Sequence, residues 1–232
     1  MTSPGSIWPS GTLLGGLPES VREGLLRCGV HRTYPDGSIL VRQGEIAPVV
    51  HLLLQGTVKE TKDSMNGAVM LQGIRVGGDL VGEAALFGRN QPATLTTCRQ
   101  TLTMTIPGDE LYAYLGDYPE AWAAVAQMLS DRLDWANQRR LDFFAYTTTV
   151  RLAGLLVQLA DRYGSDDGSG TWDLGVRISQ DELGSIIGAG PDSITKALRE
   201  LRERGLVRTR YRNIGILDPA RLRAWADDAA LW

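Results

Sequence analysis

From Glu120 to Ala153 the chain runs 34 residues without a glycine or proline. At about 1.5 Å per residue such a helix spans about 50 Å, longer than a small domain is wide. Asp117 reads as its N-cap, Pro119 as a first-turn proline and Glu120 as a capping-box glutamate. Trp122, Val125, Leu129, Leu133 and Ala136 recur at three- and four-residue steps and form an apolar stripe. Such a stripe can be intramolecular core. A helix of this length, however, overhangs its own domain and has to bury the remainder against a partner, so a parallel two-fold coiled-coil dimer is expected. Thr147-Thr148-Thr149-Val150 is β-branched and weakly helical, which places a bend or hinge there.

The sequence on either side of this run differs in texture. Residues 1–12 are rich in Gly, Pro and Ser and are expected to be mobile. Leu17-Pro18-Glu19 opens a short amphipathic helix with Val21, Leu25 and Leu26 on one side. From about Tyr34 to Ile106, short β-rich runs such as Ile39–Val41, Val49–Leu54 and Leu102–Ile106 alternate with glycine turns, the pattern of an all-β sandwich or barrel. No dinucleotide fingerprint or Walker A sequence occurs.

On the other side, a helix through Arg151 to about Tyr163 and a Gly/Ser/Asp loop lead to the most specific signal in the chain. Ser179 caps a helix with Glu182 three residues on, Gly188 breaks it, and Pro191 sits in the first turn of a second helix running to about Arg204. Leu183, Ile187, Ile194, Leu198 and Leu201 supply a shared core. This is a helix-turn-helix. Residues 205–216 alternate basic and apolar side chains around a turn, as a β wing does. After Asp218, Arg221, Leu222 and Trp225 suggest a short packing helix.

Charge sharpens this reading. The total is −3, which argues against coating nucleic acid or an anionic membrane by bulk charge. Residues 1–146 hold 12 basic and 15 acidic side chains, and residues 147–232 hold 12 of each. Within the second half, Lys196 to Arg212 carries seven basic residues against Glu200 and Glu203. They fall on the second helix and its wing, so contact with DNA phosphates is expected. Ser179, Gln180, Asp192, Ser193, Thr195, Lys196, Arg199, Arg208, Arg210 and Arg212 are the candidate DNA-binding residues. Arginine enrichment alone carries no weight, since only three basic residues are lysines.

Several classes are excluded or poorly supplied. Cys28 and Cys98 cannot build a zinc knuckle or a four-thiolate iron–sulfur site in one chain, and buried free thiols are expected. His31 and His51 supply no persuasive metal or haem ligand set. No nucleophile–base pair or phosphate loop is present, so no enzyme is expected. No stretch approaches a membrane span and the start does not read as a signal peptide. A cytoplasmic location without membrane contact follows as an expectation.

Arg42-Gln43-Gly44-Glu45, Leu54-Gln55-Gly56-Thr57-Val58 and Gly78-Asp79-Leu80-Val81-Gly82-Glu83-Ala84-Ala85-Leu86-Phe87 occur in order before the long helix and the helix-turn-helix. On these motifs the chain resembles the cyclic-AMP receptor protein/fumarate–nitrate regulator (CRP/FNR) family of bacterial transcription factors. The resemblance implies an α+β fold: a β-roll sensor at 13–116, a long dimerisation helix at 117–146 and a winged helix-turn-helix DNA-binding domain at 147–232. It also implies effector-pocket positions at Gly82, Glu83, Ala84, Ala93, Thr94 and Asn137. In cyclic-AMP binders of this family a Gly-Glu pair meets the ribose and an Arg-Ser or Arg-Thr pair clamps the phosphate. Here Ala93 stands in the arginine position before Thr94, and the adenine pair on the long helix is Ala136-Asn137. Losing the guanidinium from a buried phosphate costs roughly 2–5 kcal/mol, at least about thirtyfold in affinity. Ordinary cyclic-AMP control is therefore not expected, and Gly82 and Glu83 have a second reading as turn geometry and a partner for local backbone N–H groups. The cofactor is left unknown, with no iron–sulfur cluster or haem expected.

In the DNA reader, Gly190-Pro191-Asp192-Ser193 stands where the family pattern is Ser-Arg-Glu-Thr. A different half-site is expected, with Asp192 able to accept from a cytosine amino group and Lys196 able to donate to guanine. The expected partners are double-stranded DNA, a second copy of the chain and, by the resemblance, RNA polymerase. The rival reading is a small-molecule sensor acting through a protein partner.

Overall fold

The computed structural model describes residues 8–9, 11–65, 67–166, 168, 171–210 and 213–229. The chain divides into two compact units. One comprises Met1–Ala68 with Gln72–Trp135, and the other Val69–Leu71 with Ala136–Trp232.

The first unit opens with helices α1 (Leu13–Gly16) and α2 (Glu19–Leu25), followed by β1 (Val30–Tyr34), β2 (Ile39–Val41), β3 (Val49–Gln55), β4 (Thr57–Asp63), β5 (Val69–Val76) and β6 (Leu80–Val81). A 3-10 turn, Glu83–Phe87, leads to β7 (Thr94–Thr97), β8 (Thr101–Pro107) and α3 (Gly108–Asp117). The strands form two four-stranded sheets, ordered β1-β8-β3-β6 and β2-β7-β4-β5. Side-chain alternation along the strands supplies two cores. Leu53 and Val81 join Val41, Val58 and Leu95 in a cluster drawn from both sheets. Leu52, Leu80, Met104 and Ile106 point the other way, into a cluster with Leu14, Leu25, Leu111, Leu115 and Val125 from the helices.

Not all of residues 1–12 are loose. The Trp8 indole donates to the Leu54 carbonyl at 3.1 Å, and buried Thr12 caps α1. The part of that segment at residues 1–7 and 10 lies outside the described residues. Neither cysteine is fully buried; both thiols are half-exposed. Burial, with the Glu110 carboxylate adding, pushes the Cys28 thiol up.

The long helix, α4 (Pro119–Ala145), has 27 residues. Asp117 ends α3 and does not cap α4, because Gly108–Asp117 forms a helix of its own. Nor does α4 run on to Ala153: Thr147 takes an extended conformation and caps α5 (Thr148–Tyr163). The single stripe read along it is two faces. Ala121, Val125 and Met128 are buried in the first unit's core, and Trp122 packs edge-on against Tyr112. At 100° per residue, Leu129, Leu133, Ala136 and Phe144 lie about a quarter-turn round the helix. Leu129, Leu133 and Phe144 are 37, 61 and 85% exposed. Val125 therefore belongs to the intramolecular core, and the apolar face left bare begins at Leu129 and Leu133.

The second unit continues with β9 (Ser165–Asp166), β10 (Trp172–Asp173), α6 (Gln180–Ile187), α7 (Pro191–Glu203), β11 (Val207–Arg210), β12 (Asn213–Ile216) and α8 (Pro219–Ala229). Its sheet is ordered β11-β12-β10-β9, so Ser165–Asp166 of the Gly/Ser/Asp loop is a strand paired with β10. Leu222 of α8 is fully buried, Arg223 pairs with Asp161 of α5, and Arg204 lies over the Trp225 ring.

Candidate nucleic-acid interface and sensor turn

The helix-turn-helix is built from local chemistry. Ser179 Oγ accepts from the Glu182 N–H, and the Glu182 carboxylate accepts from the Ser179 N–H at 2.7 Å, closing a capping box on α6. Gly188 ends α6 in the left-handed region at φ 65°. Gly184 is required for a different reason: a Cβ there would stand 2.5 Å from the Ala189 carbonyl oxygen, so α6 and the turn meet only at a hydrogen. Pro191 then opens α7, where its missing N–H costs nothing.

Helix α7 sorts its side chains by face. Ile194, Ala197, Leu198 and Leu201 are buried, while Asp192, Ser193, Thr195, Lys196 and Arg199 are exposed. Ser193, Lys196 and Arg199 border a groove of about 330 Å³ with Thr148 and Thr149 at the start of α5. Gln180 is exposed and accepts a 3.4 Å contact from Thr195 Oγ1. Ser179 is committed to its cap. Arg199 faces Glu203 at 4.0 Å with both side chains largely solvated, a pair too weak to withhold the guanidinium from a phosphate. Arg208 is exposed on β11. Arg210 is described for its backbone only, and Arg212 lies outside the described residues.

The sensor-turn positions are occupied from within the chain. Gly82 sits at φ 79°, which a side chain would strain. Its carbonyl accepts from the buried Gln91 amide at 3.1 Å. Ala93 is 2% exposed and offers only a methyl group. Thr94 Oγ1 accepts the Gln43 N–H at 3.1 Å. Glu83 is paired to a side chain from α4: Arg132 Nη1 donates to its Oε1 at 3.2 Å. The partner is thus a guanidinium and not a local backbone N–H. The same guanidinium donates through Nη2 to Asp79 Oδ1 at 3.3 Å and to the Leu80 carbonyl at 2.7 Å. Sequence reasoning missed Arg132; its step of four from Met128 was a signal that it shares the buried face. Ala84 is half-buried in the 3-10 turn, and Asn137 is exposed on α4 beyond Trp135.

In the sheet beneath, His51 is 3% exposed, its Nδ1 lies 3.2 Å from Thr105 Oγ1, and Tyr34 meets it edge-on. Burial, with the Arg32 charge adding, pushes its pKa down to about 4, so the ring is neutral at physiological pH. Among the described residues no group of three His, Cys, Asp or Glu is placed to hold a metal ion. No described helix is long and apolar enough to cross a membrane.

A double-sheet sensor joined through a long helix to a capped, winged helix-turn-helix defines a DNA-binding transcription regulator. Residues 31–118 match the cyclic nucleotide-binding domain, and residues 150–225 match the Crp-like helix-turn-helix domain. The chain belongs to the CRP/FNR family, which consists of transcription regulators and not enzymes. It is 26% identical over 190 residues to the CRP-like cAMP-activated global transcriptional regulator of Mycobacterium tuberculosis, covering 82% of this chain and 84% of that protein. It is 23% identical over 195 residues to the transcriptional activator protein Anr of Pseudomonas protegens, covering 84 and 80%. Its fold matches a CRP/FNR-family regulator of Thermus thermophilus with a TM-score of 0.72 at 22% identity, covering 86% of this chain and all of that one. It also matches the c-di-GMP-responsive global regulator CLP of Xanthomonas campestris, with a TM-score of 0.74 at 21% identity over 87 and 100%.

Proposed function

We propose that the protein is a homodimeric, sequence-specific DNA-binding regulator of the cytoplasm that reads a pseudo-palindromic site without ordinary cyclic-AMP control. The observation that carries the reading is the state of the sensor turn: Ala93 stands at the clamp position, and Glu83, Thr94 and the Gly82 carbonyl each already have a partner in the chain. Family membership does not dictate a ligand, since the Mycobacterium relative is named as cAMP-activated and the Xanthomonas regulator as c-di-GMP-responsive. The bare Leu129–Leu133 seam supports self-association through α4. Two α7 helices then enter successive major grooves about 34 Å apart.

On the DNA, Asp192 and Lys196 are the base readers, and Thr195, Arg199 and Arg208 hold phosphates. Pro191 has no donor for a guanine, so the half-site departs from that of relatives with arginine there. The test is a selection from random DNA by the full chain, without nucleotide and with cyclic AMP or cyclic di-GMP. A palindromic consensus recovered without nucleotide is expected. Recovery only after nucleotide is added would overturn ligand-free binding, and a consensus unchanged from the arginine-bearing relatives would overturn the assignment of the readers.

A further inference from the structure

Helix α4 ends at Ala145, and Thr147 takes an extended conformation before α5 begins. Tyr146 and Thr147 are thus the whole covalent link between α4 and the DNA reader, and a link of that kind fixes a position but not an angle. Contacts across the break set the angle. Gly188, the left-handed turn residue of the helix-turn-helix, lies against the Phe143 ring of α4. A Cβ there would stand 2.8 Å from Phe143 Cδ2, and the three nearest atoms all belong to that ring. The Arg151 guanidinium of α5 lies 4.8 Å from the centre of the same ring, and its Nη1 donates to the Phe143 carbonyl at 3.3 Å. Phe143 therefore touches both α5 and the turn between α6 and α7. Phe144 meets it edge-on at 5.4 Å and is 85% exposed on the bare face of the helix. The last turn of α4 presents one ring to the reader and the next to solvent.

From this geometry we propose that Phe143 is a positioning residue for DNA recognition. It seats the helix-turn-helix on the end of α4 and so sets the spacing and phase of the two half-sites that a dimer reads. The inference rests on the two-reader dimer proposed above and names the residue that fixes its geometry. Glycine at position 188 serves twice, once for its φ of 65° and once for the room it leaves the ring. Two readers held in one geometry gain from engaging both half-sites at once, and the gain is lost when geometry forbids it. One added base pair shifts the second half-site by about 3.4 Å and turns it by about 34°. Readers seated by the ring cannot follow that change, whereas readers swivelling about Tyr146 and Thr147 can.

The test uses the full chain and the variants Phe143→Ala and Phe143→Leu. Each is titrated against the palindrome recovered by the selection above and against copies with one base pair added or removed between the half-sites. Circular dichroism and sedimentation check folding and self-association. The native chain is expected to bind the altered spacings at least about tenfold more weakly. In Phe143→Ala that penalty is expected to fall below about threefold, with base preferences inside each half-site unchanged. Phe143→Leu keeps part of the penalty, since it retains an apolar contact with Gly188. A full penalty in Phe143→Ala overturns the proposal. So does loss of base preference within the half-site, which makes the ring a support of α6 and α7 themselves, and so does a monomer in sedimentation, which places the ring in the self-association face. If Phe143→Ala does not fold, Phe143→Leu decides, and a penalty equal to the native one overturns the proposal. If the native chain yields no palindrome or shows no spacing preference, the two-reader dimer falls. Amide exchange at residues 184–192 then decides the seat alone: faster exchange in Phe143→Ala than in the native chain upholds it, and equal exchange removes it.

Discussion

At the scale of single residues, the proposed DNA face separates reading from holding. Replacing Lys196 with Ala is expected to cost about 1–3 kcal/mol on the preferred site and to relax selectivity at one base position. Arg199→Ala is expected to weaken all sequences alike and to lower the log–log salt slope by about one. Fluorescence anisotropy on specific and scrambled duplexes at several salt concentrations distinguishes the two. Gly184→Ala forces a methyl group against the Ala189 carbonyl. A loss of about 1–3 kcal/mol is expected from that overpacking, read as a lower urea midpoint. His51 sets a pH dependence. Its ring titrates at about 4 in the folded chain and near 6.5 in the unfolded one. The unfolded state therefore takes up the proton first, and stability is lost as pH falls from about 6.5 towards 4, by about 2 kcal/mol at pH 5. Denaturant midpoints at about pH 7 and pH 5 should differ less in His51→Gln than in the native chain.

At the scale of elements, the seam and the caps carry the predictions. Leu133→Asp puts a charge on the bare face of α4, away from the buried Val125 and Met128, so the variant should fold yet sediment as a monomer at concentrations where the native chain is expected to sediment as a dimer. Ser179→Ala removes one half of the capping box and should cost about 1 kcal/mol of stability. Elements with strong local chemistry were legible in the sequence. The capping box, the Gly188 stop and Pro191 fixed α6 and α7 nearly to the residue, and Ile39–Val41 appeared as β2 unaltered. Where two elements abut, local signals failed. Asp117 and Pro119 do look like a helix start, but α3 ends at that same point, and the stripe on α4 merged because three- and four-residue steps fit both of its faces. The pairing of Glu83 with Arg132, 49 residues on, has no local signature. It depends on which turn of α4 passes the sensor, which packing alone decides.

At the scale of the whole molecule, α4 contributes residues to both compact units, and in the proposed regulator a sensor can bias a DNA reader only through contacts that differ between two arrangements. With Ala93 at the clamp position, the proposed reading gives cyclic AMP no differential affinity for two arrangements of the chain. Apparent DNA affinity should therefore change less than about threefold on adding cyclic AMP, because a ligand with no differential affinity shifts no population. An electrophoretic mobility titration with and without cyclic AMP checks this. The exposed seam also has a consequence during synthesis. The whole of the first unit has been made once Trp135 is added, before residues 136–232 of the second. At about 5–20 residues per second that remainder takes roughly 5–20 s. Leu129 and Leu133 leave the ribosome during this interval with no place in their own fold to hide. If the proposed homodimer forms through this face, neighbouring nascent chains on one messenger are the first partners it meets, and pairing can begin before either chain owns a DNA reader.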